Sequence, residues 1–244
     1  MDAETALYAG AGSVLLSGLF YLGFRSSAKR LHTILETPTI ACRDLPGLGA
    51  CTVEVRGRVR SNGPLLSDLA RVPCVAFECS ITEHWTTRET VRDSKGNTRT
   101  VTRHHTATRY SNSARISFEV VDDSGAATVE PDGASIDLIG QDAGPAPPGS
   151  PACGVRAHHW NGRLTYEESA LPVETDVYVL ASVSERHTLV KSTTLGDPFI
   201  ISHRSEEELI RRARWGKRIF GFLMAAALVG GTAMIGHWFD LTQN

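Results

Sequence analysis

The sequence predicts a mainly β soluble domain placed between two transmembrane α-helices. Two observations lead to this fold class. Uncharged apolar stretches lie near both ends of the chain, at residues 7–24 and 219–239. Between them, apolar and polar residues alternate with the period of two that is typical of half-buried β-strands. The strands are predicted to form an antiparallel sheet that is curved or closed like a barrel, with some short helix.

The two apolar stretches have the length of membrane-spanning helices. A helix rises about 1.5 Å per residue and a bilayer core is about 30 Å thick, so a span needs about 20 residues. The stretch 219–239 meets this length, and 7–24 lies at its short end. A cleaved signal peptide is the alternative for the first stretch. Asp2 and Glu4 give it an acidic start where a signal peptide is basic, which favours a retained anchor.

The charges around the spans predict the orientation of the chain. All 25 Lys and Arg lie between the two stretches, and the outer tails carry only acidic charges. Because Lys and Arg concentrate on the cytoplasmic side of membrane helices, we expect the middle of the chain in the cytoplasm and both termini outside. Translocation of the whole middle domain is the alternative. The residues predicted at the membrane interface are Arg25, Lys29, Arg30, Arg214, Trp215, Lys217, Arg218 and Trp238.

Helix signals predict that both anchors extend beyond the bilayer. Ser205 and Glu208 have the spacing of a capping box, in which each side chain binds the other residue's backbone N–H. No proline follows, so one helix is predicted within residues 205–244. In the N-terminal segment, residues 1–36, the helix is expected to continue until Pro38 stops it. These boundaries leave residues 37–204 for the β domain.

Small residues recur four positions apart in both spans, as in Ser13/Ser17 and Ala227/Gly231. This spacing lets two helices approach closely. The two spans are expected to pack on each other, and a homo-oligomer formed through the same faces is the alternative.

Within the β domain, every second residue is apolar in the runs 52–60, 74–83, 116–120 and 177–183, and turn residues separate the runs. A last strand is predicted at 195–202. The segment 65–71 is predicted to be a short helix that ends before Pro73.

The five cysteines are odd in number and irregularly spaced, without a CxxC pair. If the domain is cytoplasmic, they are expected to stay reduced and to act as small core residues. Strand alternation predicts Val75, Phe77, Cys79 and Ile81 on one face and Cys74 on the other, which makes the two cysteines a poor metal pair.

Two insertions interrupt the strands. Residues 140–151 form a proline-rich loop. Residues 86–111 are predicted to be a polar hairpin with its turn at 93–97. Its candidate contacts for an anionic lipid or an acidic partner are Arg88, Arg92, Lys95, Arg99 and Arg103. The alternative is a solvated hairpin whose charges prevent aggregation at the sheet edge.

Signatures of catalysis, metal binding or cofactor binding do not stand out. The sequence lacks GxxxxGK[ST], GxSxG, HExxH and DxDxDG. A metal site built from His84, one of His104/His105 and one of His158/His159 is conceivable, but surface histidines are the simpler interpretation, so we predict no metal and no cofactor. Residues 25–218 carry 25 basic and 24 acidic residues, and this near-balance argues against a nucleic-acid-binding protein, which needs a clearly basic face.

The order of several motifs resembles the GIDE family, also called the beside-a-membrane domain. This family is known from a mitochondrial outer-membrane RING ubiquitin ligase and from prokaryotic relatives. The similar segments are a VxGxV strand at 55–59, Pro64-Leu65, a PCVxF-like strand at 71–77, a hairpin at 118–134, a strand at 171–183 and the exit at 197–209. Thr175 and Ala181 stand where the family usually has glycine. The resemblance implies membrane attachment and an E3 ubiquitin ligase-like protein.

The RING expected of such a ligase has no counterpart here. A RING holds zinc with eight Cys or His ligands, and only residues 240–244 follow the second span. We therefore expect no ligase activity from this chain alone. The leading hypothesis is a non-catalytic, membrane-tethered β module that binds a protein, peptide or lipid partner. The alternatives are an enzyme or ligase subunit, and a small oligomeric pore or sensor built on the two spans.

Overall fold

The structure is a computed structural model that describes residues 3–49, 51–92, 98–194 and 197–243. It divides into two units. The helical unit comprises Met1–Pro38, Gly196–Pro198 and Arg204–Asn244. The β unit comprises Thr39–Leu195 and Phe199–His203.

Two long helices form the helical unit. Helix α1 covers Ala3–Glu36 and helix α2 covers Glu206–Gln243, each without a break. Both boundaries agree with the sequence. Helix α1 ends just before Thr37-Pro38, and α2 follows Ser205, whose Oγ accepts a hydrogen bond from the backbone N–H of Glu208 at 3.4 Å.

The two helices pack side by side in antiparallel directions, at points where small residues occur. A Cβ built on Gly10 would lie 2.7 Å from Cγ1 of Ile235 and 3.1 Å from the carbonyl oxygen of Gly231. Near the other end of the pair, a Cβ on Gly216 would meet Oγ of Ser27 at 3.2 Å. The expected packing of the two apolar segments on each other is thus present.

One helix in the described part of the chain is long and apolar enough to cross a membrane. It is the portion Glu206–Gly236 of α2. The predicted first span, residues 7–24, lies within α1, and its crossing of a membrane remains a prediction.

The β unit begins with a 3-10 helix at Cys42–Gly47 and continues, in the described residues, with twelve strands. In chain order they are β1 (Thr52–Arg60), β2 (Leu65–Leu66), β3 (Pro73–Arg92), β4 (Thr98–Arg115), β5 (Phe118–Val121), β6 (Ala126–Val129), β7 (Ser135–Ile136), β8 (Ile139–Gln141), β9 (Arg163–Pro172), β10 (Asp176–Val183), β11 (Leu189–Val190) and β12 (Ile200–Ser202).

Five strands close into a small barrel. The ring runs β1-β5-β6-β11-β10 and returns to β1, because β10 pairs with β11 on one side and with β1 on the other. Strand β12 also pairs with β10, and β7 extends from β12. The interior is apolar and includes Val53, Val55, Val120, Val179 and Ile201. The prediction of a mainly β, barrel-like domain is confirmed.

The remaining strands form a second sheet with β3 at its centre. Strand β4 and the short β2 pair with one edge of β3, β9 pairs with the other edge, and β8 follows β9. A smaller apolar cluster lies on this sheet and contains Leu69, Cys74, Phe77, Cys79, Ile81, Ala152 and Ala170.

The predicted division of the β3 side chains between its two faces is wrong at its start. Cys74 lies in the same cluster as Phe77 and Cys79, and Val75 belongs to the barrel core. The reason is a β-bulge, because the register against β9 shifts between Cys74 and Ala76. An extra residue in a strand reverses the alternation that a periodicity argument assumes.

The predicted short helix at 65–71 is also wrong. Residues 65–66 form β2, and the chain then bends back toward β3. The carboxylate of Glu168, on β9, accepts hydrogen bonds from the backbone N–H groups of Leu69 at 2.7 Å and Ala70 at 2.9 Å. A distant acid therefore takes the place of helical hydrogen bonds, which no local pattern could reveal.

Two further boundaries differ from the sequence-based expectation. The predicted last strand, 195–202, is shorter as β12 (Ile200–Ser202), and residues 195 and 196 lie outside the described residues. The first residues of the predicted loop 140–151 belong to β8. Both differences are shifts of a few residues at element ends.

Candidate partner-binding hairpin

Strands β3 and β4 form a long hairpin that continues past the rest of its sheet. They pair from Ala76↔Arg115 to Arg92↔Thr98, whereas β9 accompanies β3 only as far as His84↔Arg163. Residues 85–92 and 98–105 therefore form a two-stranded extension, here called the ribbon. At about 3.3 Å per residue it continues for roughly 25 Å. The predicted hairpin is confirmed, and its predicted turn, 93–97, lies outside the described residues.

A β-bulge lies at the base of the ribbon. Ile81 pairs with Tyr110 and Thr82 pairs with Thr108, which leaves Arg109 as an extra residue in β4. The bulge turns Arg109 toward β3, where its Nε donates a hydrogen bond to Oε2 of Glu83 at 2.6 Å and a terminal nitrogen contacts the same oxygen.

Glu83 is fully buried and joins three segments. Besides Arg109, the backbone N–H of His159 donates to its Oε1 at 2.8 Å, and Nδ1 of His159 lies 3.2 Å from that oxygen. Gly162 leaves room for the carboxylate, because a Cβ there would overlap Oε1. Burial alone would raise the pKa of Glu83, but the hydrogen bonds from His159 and Arg109 outweigh it and lower the pKa to about 2.

Aromatic rings stack beside this carboxylate. The ring of Trp85 lies 4.0 Å from that of His159, at an interplanar angle of 7°, and 5.2 Å from that of His105, at 17°. The guanidinium of Arg109 lies 5.8 Å from the Trp85 ring centre. Trp160, next in the chain to His159, is 97% exposed. The stack fixes the start of the ribbon to the loop that precedes β9.

A second buried acid holds the neighbouring part of the hairpin. Asp68 accepts hydrogen bonds from the Tyr110 hydroxyl at 2.7 Å and from Nδ2 of Asn112 at 2.8 Å. Burial and the adjacent Asp68 raise the pKa of Tyr110 to about 12. Glu83 and Asp68 are both engaged in bonds that hold strands and loops together.

The candidate arginines lie on both faces of the ribbon. Directly paired residues share a face, so Arg88 and Arg92 lie with Thr102 and Thr98. Arg99 and Arg103 pair with Val91 and Thr87 and so lie on the opposite face. Lys95 falls outside the described residues. Strand alternation therefore divides the predicted contact residues between two faces.

One acid on the ribbon partly neutralises these charges. Oε2 of Glu89 lies 2.5 Å from Nε of Arg103, and both side chains are about half exposed. Arg88, Arg92 and Arg99 are exposed to solvent. The ribbon therefore presents positive charge on each face.

The histidines do not assemble into a metal site. In the described residues, no group of three or more His, Cys, Asp or Glu side chains is placed to hold a metal ion. His105 and His159 flank Trp85, and His84 lies on the opposite face of β3 because it is the next residue in the strand. The rings of His105 and His159 therefore lie on one face of the hairpin, and His84 lies on the other.

The predicted membrane-interface residues all belong to α1 and α2. Arg25, Lys29, Arg214, Trp215 and Arg218 are exposed, and Arg30, Lys217 and Trp238 are partly exposed. Lys29 forms an ion pair with Asp197 at 2.9 Å. Nζ of Lys217 lies 5.7 Å from the ring centre of Phe24 on the neighbouring helix. The Trp238 and Phe239 rings meet edge to face at 4.7 Å.

These features place the chain in the class of membrane-associated proteins that carry a β domain. The sequence profile of the GIDE family, described as E3 Ubiquitin ligase, matches residues 86–236. This is more than half of the chain, and the protein belongs to that family. The match begins after the motifs at 55–59 and 71–77 and includes all of the ribbon but Trp85, the pair of β6 with β11 and most of α2. Comparison with curated proteins and with solved structures gave no match.

Proposed function

We propose that this protein is a non-catalytic β module, anchored beside a membrane, that binds an anionic protein, peptide or lipid partner through the ribbon. One observation carries the proposal: the ribbon continues beyond β9 with exposed arginines on both faces. Glu89 contacts Arg103. The buried acids Glu83 and Asp68 support the non-catalytic part, because their oxygens serve as structural hydrogen-bond acceptors.

The anchoring rests on the two helices. Helix α2 starts at a capped residue and continues without interruption through its apolar portion. We propose that α1 is the second span, that both termini lie outside, and that the β domain lies in the cytoplasm, where the flanking Lys and Arg would stay.

The test uses the full-length chain in nanodiscs of uncharged lipid. The probes are a polyglutamate peptide and vesicles that contain phosphatidylserine. Wild-type protein should bind at least one probe, with an affinity that falls as salt is raised. The combined R88Q/R92Q/R99Q/R103Q variant should bind at least about tenfold more weakly, because it removes the proposed contact charges.

Arg58→Gln is the matched control, because Arg58 lies on the barrel and pairs with the exposed Asp176. It should leave binding unchanged. Binding of neither probe, or equal binding by the fourfold variant, would exclude the ribbon as the binding surface.

A second candidate is a subunit of a ubiquitin ligase assembly, which the family description favours. In that role the β module would bring a partner to a separate subunit that transfers ubiquitin. Discharge of ubiquitin from a loaded conjugating enzyme should be unchanged by this chain alone. If the purified chain accelerates discharge, and one polar substitution abolishes the effect, the non-catalytic proposal fails.

A further inference from the structure

The outer edge of β4 carries backbone groups that face away from β3. The carbonyl oxygen of Thr86 accepts a hydrogen bond from Nδ2 of Asn161 at 2.8 Å, so the backbone groups of Thr86 point away from β4. Thr86 pairs with His104, and two residues of such an antiparallel pair both direct their N–H and C=O outward. The same alternation places outward N–H and C=O groups on Thr98, Thr100, Thr102 and Thr106.

This edge is open along the ribbon. In the described part of the chain, β4 pairs with β3 alone. The opposite edge of the hairpin is covered by β9 as far as His84 and by Asn161 at Thr86, and from Arg88 to Arg92 it pairs with no further strand in the described residues. Residues 98–106 contain no proline, and four of their outward-facing positions are threonines, which favour the extended conformation. The open edge is therefore a template for one more strand.

The charge of β4 indicates which kind of strand can pair with its open edge. Strand β4 contains Arg99, Arg103, Arg109 and Arg115 and no acidic residue. A second copy of β4 would bring like charges together, which destabilises neighbouring strands. An acidic strand would place its carboxylates beside Arg99 and Arg103 on one face.

We infer that the partner of the ribbon is an acidic peptide segment that binds in an extended conformation, as an added strand on the edge Thr98–Thr106 of β4. This inference rests on the proposed function and names the class of its partner. Backbone hydrogen bonds to Thr100, Thr102 and His104 supply the pairing, and acidic side chains four residues apart supply the specificity. Glu89 competes for Arg103, so Glu89→Gln should tighten binding.

The experiment measures binding of fluorescent synthetic peptides to the full-length protein in nanodiscs of uncharged lipid. The main probe alternates Glu with Val and matches residues 98–106 in length. One control has Gln in place of Glu. Two further controls are Glu peptides that are N-methylated on alternate amides. The methyl groups of one peptide lie along one edge of its strand, and those of the other peptide lie along the opposite edge. The Glu peptide should bind at least about tenfold more tightly than the Gln peptide. Methylation of only one of the two edges should abolish binding, because only one edge faces β4.

Protein variants test the same edge from the other side. Thr102→Pro removes an outward N–H without touching the bonds to β3, and should weaken binding about tenfold. Thr102→Val keeps that N–H and should bind like wild type. If Thr102→Pro does not fold, the N-methylated peptides still decide the question with wild-type protein.

The remaining outcomes separate this inference from the proposed function. Loss of binding in R99Q/R103Q with no effect of Thr102→Pro or of either methylation would leave charge-driven binding and overturn the added strand. Binding to phosphatidylserine vesicles but not to the Glu peptide would identify lipid as the partner and overturn it too. Self-association that Thr102→Pro abolishes would assign the edge to a second copy. Binding to no anionic probe would refute both proposals.

Discussion

Arg109 reaches the buried carboxylate of Glu83 because a β-bulge gives β4 one more residue than β3 at that point. Without the extra residue, strand alternation would place Arg109 and Tyr110 on opposite faces. The bulge lets Arg109 bind Glu83 while Tyr110 binds Asp68. Two buried acids thus hold the base of the ribbon through consecutive residues.

Arg109→Met should destabilise the protein strongly, because it leaves Glu83 buried and without its cationic partner. We expect the Tm in detergent, followed by tryptophan fluorescence, to fall by about 5 °C or more. The double variant R109M/E83Q should lose less than the sum of the two single variants, since both remove the same interaction. Arg58→Met, which loses only exposed partners, should change the Tm little. An unchanged Tm for Arg109→Met would show that the ion pair does not support the fold.

Stability should fall in acid partly through Glu83. Hydrogen bonds hold its folded pKa at about 2, against an ordinary value of 4.5. A depressed folded pKa contributes stability that is present above pH 4.5 and is lost as the pH falls toward 2. Thermal unfolding of wild type and Glu83→Gln, followed across this range, should show the gap in Tm closing at low pH.

Asp122 should also make the stability of the protein fall in acid, and the same thermal unfolding measurement can test it. Burial alone would raise its pKa, but hydrogen bonds from Ser124, Gly125 and Cys42 lower it. Asp122→Asn should therefore also reduce the fall in Tm as the pH is lowered. Curves for Glu83→Gln and wild type that stay parallel throughout would contradict the assigned pKa.

The five thiols should divide into two classes by reactivity. Cys51 and Cys153 are exposed, whereas Cys42, Cys74 and Cys79 are buried. Burial, with a smaller effect of nearby acids, raises the pKa of Cys42 to about 12 and those of Cys74 and Cys79 to about 11. Iodoacetamide at neutral pH should label the two exposed cysteines first, as read by mass spectrometry, because the thiolate is the reactive form.

The same thiols report the proposed orientation. A membrane-impermeant maleimide should label Cys51 and Cys153 only after cells are opened, if the β domain is cytoplasmic. Labelling of both in intact cells, absent from the C51S/C153S variant, would reverse the orientation.

The contact of α1 with α2 should depend on Gly10. Gly10→Ala adds a Cβ that would lie 2.7 Å from Ile235 and 3.1 Å from a backbone oxygen, so we expect a loss of about 1–3 kcal/mol from overpacking. Gly12→Ala is the matched control on the same helix, because a Cβ there meets no atom within 4 Å. Thermal unfolding in detergent compares the stabilities of the Gly10→Ala and Gly12→Ala variants. Equal stability of both variants would show that this contact contributes nothing.

The sequence was informative where structure is local. Long apolar runs, the Ser205 cap and Pro38 predicted both helices to within a few residues, because helix signals act over a few positions. Strand alternation also predicted the hairpin. The placement of the candidate arginines on two faces depends on the register of β3 against β4, which the sequence alone does not give.

The two bulges and the contacts of the buried acids could not be predicted from local sequence patterns. A periodicity argument assumes one residue per step, and the extra residues at Val75 and Arg109 break that assumption. Glu168 replaces the predicted helix at 65–71 through bonds from a strand about a hundred positions away. Such contacts follow from tertiary packing, and a single sequence carries no signal for them.

The closure of the barrel has a consequence for how the chain folds. Strand β6 meets β11 through the pair Val129↔Leu189, which joins residues far apart in the chain after β7, β8, β9 and β10 have intervened. Loop-closure entropy must be overcome before such a contact contributes. The hairpin of β3 and β4, with its ladder of near neighbours, is positioned to form early, and the ring to complete late. A chain paused before Leu189 would carry an open sheet in which β6 pairs with β5 but lacks β11 on its other edge, and this apolar species is the one most exposed to aggregation during synthesis.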